Sequence, residues 1–206
     1  MAATRVVLWR HGQTDYNIEG RVQGIVDVAL NDRGLGQAQR AAHVLGQTYQ
    51  PVTIVSSDLE RARQTAQALG DVVDQEVRVD ERARERAFGK LEGLTSKEMR
   101  ARYEDYYEQW RATGECPAAG IEARRSVGAR VADLIREECE RAEAGRTLVV
   151  VSHGSALTQG LVTLMGLDPG TWAGIRGLDN CHWAEIAQAQ RAPGWRIHAY
   201  NRGADR

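Results

Sequence analysis

The stretch Val6-Val7-Leu8-Trp9-Arg10-His11-Gly12-Gln13-Thr14 decides how the chain is read. Four apolar residues in a row fit a strand buried on both faces. The run stops at a cation, an imidazole and a glycine, and open α/β sheets bind ligands where their strands end. The glycine lets the backbone turn sharply and approach a ligand, while arginine beside strand-end amides suits an anion such as phosphate. Taken alone, these residues fit an ordinary strand-to-loop junction equally well. A second copy shifts the balance: Thr147-Leu148-Val149-Val150-Val151-Ser152 is another buried-strand pattern, and it runs into His153-Gly154-Ser155. Two strands each deliver His-Gly at a carboxyl end.

Working outward, residues 12–30 form a polar, glycine-bearing loop of a length that favours function, carrying Asn17, Arg21, Gln23, Gly24 and Asp27. Asn31 reads as the cap of a helix bearing Leu35, Ala38, Ala41, Ala42 and Leu45, and Gly46 as its end. Pro51 resets the chain into a strand over 52–55. Ser57-Asp58-Leu59-Glu60 has the spacing of a capping box, opening a helix to about Leu69. Arg61 then falls in the first turn of that helix, at the same sheet edge as the two histidines. Glu60 or Asp58 could pair with it, so an intrahelical ion pair competes with anion binding.

Residues 76–80 read as a short strand and 81–93 as a charged loop holding Glu81, Glu85 and Glu92. Thr95-Ser96-Lys97-Glu98 is a further capping box, and its helix ends near Gly114. After Pro117 and Gly120 comes a long helix with Val127, Val131, Leu134, Ile135 and Ala142 on one face. A helix over about 155–165 follows His153, and β-like runs cover 181–186 and 195–200 around a Pro193-Gly194 turn. The alternation predicts an α/β three-layer sandwich, with a central, mostly parallel sheet flanked by helices. At 206 residues, one domain spanning 1–206 is expected.

With 27 basic and 28 acidic residues the net charge is −1, which argues against a nucleic-acid partner. The three cysteines form no CxxC pair, so neither a disulfide framework nor a zinc site is expected. His11 and His153 lack local metal-ligand spacing, and neighbouring arginines would repel a divalent ion, so no metal or other cofactor is expected. No leader-like or membrane-length apolar segment is visible, and the protein reads as cytoplasmic without a membrane partner. The sequence is compatible with a homodimer.

Five groups of residues in order resemble the histidine phosphatase superfamily, in its phosphoglycerate-mutase-like branch. They are Arg10 to Thr14 with Asn17; Gln23-Gly24; Ser56 to Leu59 with Arg61 and Thr65-Ala66; Arg84-Glu85 with Phe88-Gly89 and Glu92-Gly93; and Ser152-His153-Gly154. The resemblance implies a phosphohistidine mechanism with His11 as nucleophile, and Arg10, Arg61 and His153 around the phosphoryl oxygens. Asn17, Gln23, Gly24 and the Gly154 amide would contact the substrate. Glu85 would protonate the leaving oxygen, with Glu81 and Glu92 as competitors. This fits what phosphoryl transfer demands, an in-line nucleophile and cations around the equatorial oxygens.

Within the family, Arg10 to Asn17 reading RHGQTDYN, Arg84-Glu85, Trp172, Asn180 and Trp183 are similar to actinobacterial glucosyl-3-phosphoglycerate phosphatases. The implied activity is that of a histidine acid-type phosphatase. It would hydrolyse a small sugar-phosphate or phosphoglycerate ester, glucosyl-3-phosphoglycerate among the candidates. A cofactor-dependent phosphoglycerate mutase is the first alternative. Mutases usually carry tyrosine where Phe88 stands, lysine where Ser96 stands and an arginine pair where Arg111-Ala112 stands, although Lys97 lies one residue away. A non-catalytic phosphate-ester-binding module is the second, disfavoured because His11 and Glu85 are both present.

Overall fold

The computed structural model describes residues 5–51, 53–143 and 145–204. Val52, the first residue of one expected strand, lies outside the described residues, as do both ends of the 1–206 span. At the centre are β1 (Arg5–Arg10) and β4 (Thr147–Ser152), paired in parallel with Arg10 opposite Ser152. That register brings His11 and His153 out of the sheet side by side. It is held one step further by the His11 N–H donating to the Ser152 carbonyl at 3.0 Å.

β2 (Thr53–Ser56) flanks β4 in parallel and carries β3 (Val77–Val79) on its outer side. β5 (Trp183–Gln188) pairs antiparallel with β1, and β6 (Trp195–Arg202) antiparallel with β5, giving the order β3-β2-β4-β1-β5-β6. The sheet is therefore mostly parallel with an antiparallel edge.

Side-chain alternation along the strands builds the layers. Val7, Trp9, Val149 and Val151 face one side, where they pack on α2 (Asp32–Tyr49) and α3 (Glu60–Val73). Val6, Leu8, Leu148 and Val150 face the other, against α5 (Arg124–Arg141) and α6 (Gly154–Leu164). A third apolar cluster lies away from the sheet, where Phe88, Leu91, Cys116 and Ile121 pack with Met99 and Tyr107 of α4 (Ser96–Thr113).

Several expected boundaries move for identifiable reasons. α2 runs a turn past Gly46, which is a close-packing position: a Cβ there would sit 2.9 Å from Val72 and 3.1 Å from Val73 of α3. α3 likewise continues beyond Leu69 to Val73. Ala142 caps α5 from outside its buried face. The loop over 12–30 contains a short helix, α1 (Asp15–Glu19), capped reciprocally by Thr14 and Asn17. The capping box expected at Ser57 to Glu60 does not form. The residue before the helix is Leu59, without a side-chain cap, and the Ser57 hydroxyl is engaged elsewhere.

Candidate active site

His11 is 2% exposed. Its Nδ1 lies 2.7 Å from the Gly12 carbonyl oxygen, and since a carbonyl only accepts, Nδ1 carries the proton and Nε2 is left with a lone pair. Burial, Arg61 and Arg10 together hold this imidazole well below its ordinary value, which favours its neutral form. The Gly12 carbonyl is fixed in turn by the Asn180 side chain, whose Nδ2 donates to the carbonyls of His11 and Gly12, each at 3.2 Å, and to Asn17 Oδ1 at 3.1 Å.

His153 is fully buried, with its ring centroid 5.1 Å from that of His11. Desolvation first, then Arg61, His11 and Arg10, push it far below its usual value as well. Its Nε2 is 2.8 Å from Ser57 Oγ, and its Nδ1 is buried without a partner.

The arginines complete the pattern. Arg10 donates through Nη1 to the Leu178 carbonyl at 2.6 Å, and its Nε is buried and unpartnered. Arg61 is fully buried; Nη1 and Nη2 donate to the carbonyls of Val26 and Gly24, both at 2.8 Å, and its Nε also lacks a partner. Burial presses Arg61 down to about 10. The intrahelical ion pair is excluded as an account of Arg61, because Glu60 pairs with Arg63 and Asp58 accepts a bidentate pair from Arg84.

Glu85 sits at the amino end of α6. Its carboxylate accepts from the backbone N–H groups of Ser155 (3.1 Å), Ala156 (2.8 Å) and Arg86 (2.8 Å), and its charge acts favourably on Arg10 and Arg61. The other two glutamates are placed differently. The Glu81 side chain is 77% exposed beside Arg84. Glu92 ties two loops together, accepting from the amides of Phe88 and Ile25.

Among the expected substrate contacts, Gly154 opens α6 beside the histidines. Gln23 Oε1 is buried without a partner. Asn17 and Gly24 have architectural duties: Asn17 Oδ1 accepts from the Thr14 amide at 3.0 Å, and Gly24 supplies a carbonyl to Arg61. A side chain at Gly24 would strike Glu92 at 2.2 Å. Ser57 and Asn180 were not picked out for these contacts by the spacing of the sequence. The sequence makes Ser57 a helix cap and one member of the family motif Ser56 to Leu59, and marks Asn180 through its subfamily pattern.

Residues 6–202 match the histidine phosphatase superfamily (branch 1). The chain belongs to this superfamily. It is 38% identical to a glucosyl-3-phosphoglycerate phosphatase of Mycobacterium tuberculosis, over 99% of this chain and 97% of that protein. It is 29% identical to phosphoserine phosphatase 1 of Hydrogenobacter thermophilus, over 91% and 88%. Among solved structures, mycobacterial glucosyl-3-phosphoglycerate phosphatase in complex with VO3 superposes with a TM-score of 0.86 at 36% identity, covering 96% of this chain and 98% of that one. The chain is thus a phosphomonoesterase. Among the described residues, no helix is long and apolar enough to cross a membrane.

Proposed function

We propose that the protein hydrolyses a small phosphate ester of the sugar-phosphate or phosphoglycerate type, with glucosyl-3-phosphoglycerate as first candidate, through a phosphohistidine on His11. One observation carries this reading. The buried imidazole with a free Nε2 lone pair shares its site with three unpartnered buried nitrogens, Arg10 Nε, Arg61 Nε and His153 Nδ1. Buried polar atoms are normally satisfied, so a cluster of three beside a nucleophile calls for an anion. A phosphoryl group offers three oxygens to such donors and its phosphorus to the lone pair.

The contacts support the following steps. His11 Nε2 attacks phosphorus as the ester oxygen leaves, and the developing charge spreads over oxygens held by the two arginines and His153. Glu85, fixed against the start of α6, relays to the leaving oxygen a proton brought in by the monoanionic form of the ester, then takes one from the water that attacks phosphohistidine. The identity with a glucosyl-3-phosphoglycerate phosphatase along nearly the whole chain supports that ester over others. Against the mutase reading, Lys97 and Arg111 are exposed on α4.

Rapid-quench labelling with a radiolabelled ester tests the reading. Acid-labile phosphate on His11 is expected, with activity that survives EDTA. No label in a catalytically active enzyme, or a requirement for added divalent metal, would overturn it. A panel containing glucosyl-3-phosphoglycerate, 3-phosphoglycerate, phosphoserine and sugar phosphates, with mutase activity followed in parallel, identifies the ester.

A further inference from the structure

Ser57 lies at the end of β2, where its backbone N–H donates to the Val151 carbonyl at 3.0 Å and sets it beside Ser152 and His153. The residue is fully buried. Its Oγ has two neighbours. The Leu59 backbone N–H, at 3.3 Å, can only donate to it, and His153 Nε2, at 2.8 Å, can donate or accept.

Counting protons separates the two arrangements. A hydroxyl has one proton to give and two lone pairs to fill. If His153 Nε2 carried the ring proton, Ser57 Oγ would accept from both neighbours. Its own proton would then be buried with nothing to receive it, and His153 Nδ1 would turn a lone pair toward the place where an anion binds. If Ser57 instead gives its proton to Nε2, the hydroxyl is fully used and the one group left over is on the far side of the ring, at Nδ1. The chain runs from the Leu59 amide to Ser57 Oγ and from the Ser57 hydroxyl to His153 Nε2, leaving an N–H on Nδ1. A buried polar group left unsatisfied is costly enough to select one tautomer.

We propose that Ser57 is a positioning residue that holds neutral His153 in its Nδ1–H tautomer, so that the ring meets the phosphoryl group as a hydrogen-bond donor. This rests on the reading that His153 contacts the transferred phosphoryl group. The arrangement also accounts for two cationic guanidiniums and two imidazoles sharing one dry site: His153 gives a directional donor without adding a third positive charge. The box at Ser57 to Glu60 fails as a helix cap because Ser57 Oγ accepts from the Leu59 amide, one residue short of the first turn of α3.

The test is ¹⁵N-resolved NMR of the histidine rings in the full chain, wild type beside Ser57→Ala and Ser57→Thr, with kinetics and thermal unfolding on the same samples. In the wild type, His153 Nε2 should resonate as a pyridine-type nitrogen and Nδ1 as a protonated one. Ser57→Ala should shift the ring toward the Nε2–H tautomer and lower kcat about 10²-fold, the low end for one preorganised donor, with a smaller change in KM. Ser57→Thr keeps the hydroxyl and should restore both the tautomer and most of the rate.

A wild-type His153 already protonated on Nε2 overturns the proposal without recourse to any variant. So does a Ser57→Ala enzyme that is folded by its unfolding curve and keeps the wild-type tautomer and turnover. Labelling of His11 separates this from the underlying reading. Absence of phosphohistidine in the wild type defeats that reading, whereas normal labelling with an indifferent Ser57 defeats only this inference.

Discussion

The chain presents the dipeptide His-Gly twice, at the ends of two neighbouring parallel strands, and wires the two copies in opposite ways. At β1, the His11 ring turns back onto its own following carbonyl through Nδ1, and Nε2 is left free. At β4, the His153 ring is held through Nε2 by Ser57, and Nδ1 is left free. The glycines differ too. A Cβ on Gly12 would lie 2.6 Å from the Gly34 carbonyl oxygen of α2, whereas one on Gly154 would meet nothing nearer than Arg10 Nε at 3.5 Å. On the proposed mechanism, identical side chains become an attacking group and a donor according to which ring nitrogen the surroundings occupy.

The sharpest way to break that asymmetry is to remove each ring. His11→Ala should abolish the phosphoenzyme and lower turnover by at least about 10⁴-fold, as expected for loss of a covalent nucleophile. His153→Ala should cost about 10²- to 10³-fold, as for one transition-state donor, and still label His11. Equal losses, or label on His153, would reverse the assignment.

Glu85 is tied to the β4 side through the amides of Ser155 and Ala156. Glu85→Gln should slow alkyl phosphates by about 10²- to 10⁴-fold but p-nitrophenyl phosphate far less, because a good leaving group needs little protonation. Phosphohistidine should also accumulate where the second step lacks its base. A small, equal loss for both substrates would return the role to Glu81 or Glu92.

A third comparison is steric. Gly12→Ala forces a backbone clash and should destabilise by about 1–3 kcal/mol in denaturant melts, while Gly154→Ala should stay within about 0.5 kcal/mol. Equal destabilisation would mean that the two turns are not packed differently.

The last comparison is with pH, where the two rings act together. Both histidines lie below the ordinary 6.5 when folded, so below that pH the unfolded chain binds protons that the native chain refuses. Their contribution to stability is complete above about 6.5. It drains as the pH falls toward the folded values, by at most about 1.4 kcal/mol per pH unit for each ring. Turnover at saturating substrate should hold through the same interval, since His11 remains neutral. An activity limb near 6.5 assigned to His11 would contradict the burial described above.

The layers and the meeting of both histidines with Arg61 were legible because each rests on a local pattern: an apolar run, a breaking glycine, a position in the first turn of a helix. The partners of those groups were not. Nothing in the spacing of Arg61 indicates that its fork is spent on the carbonyls of Gly24 and Val26, because a backbone carbonyl carries no residue signature. Ser57 was misread for a related reason. A serine three places before a glutamate satisfies the capping pattern, and only the β2–β4 register shows an imidazole closer to hand. Glu85 could be named from its motif, but its place on the amides of α6 depends on a contact across some seventy positions of chain.

The grip of Arg61 on the loop through Gly24 and Val26 bears on how such an enzyme can change its diet. A substitution that reshapes residues 23–26 to admit a different ester also moves the guanidinium to which the proposed mechanism gives the phosphoryl group. New specificity bought there is repaid in rate. The excursion carrying α4 is tied to that loop at one end, where Val22 joins its apolar cluster and Glu98 pairs with Arg21, but exposed side chains further along α4, such as Arg102 and Glu104, lie outside that tie. Lineages drifting toward new substrates should therefore accumulate their differences around α4 and leave the 23–26 loop alone. Laboratory libraries aimed at altered specificity should be drawn the same way.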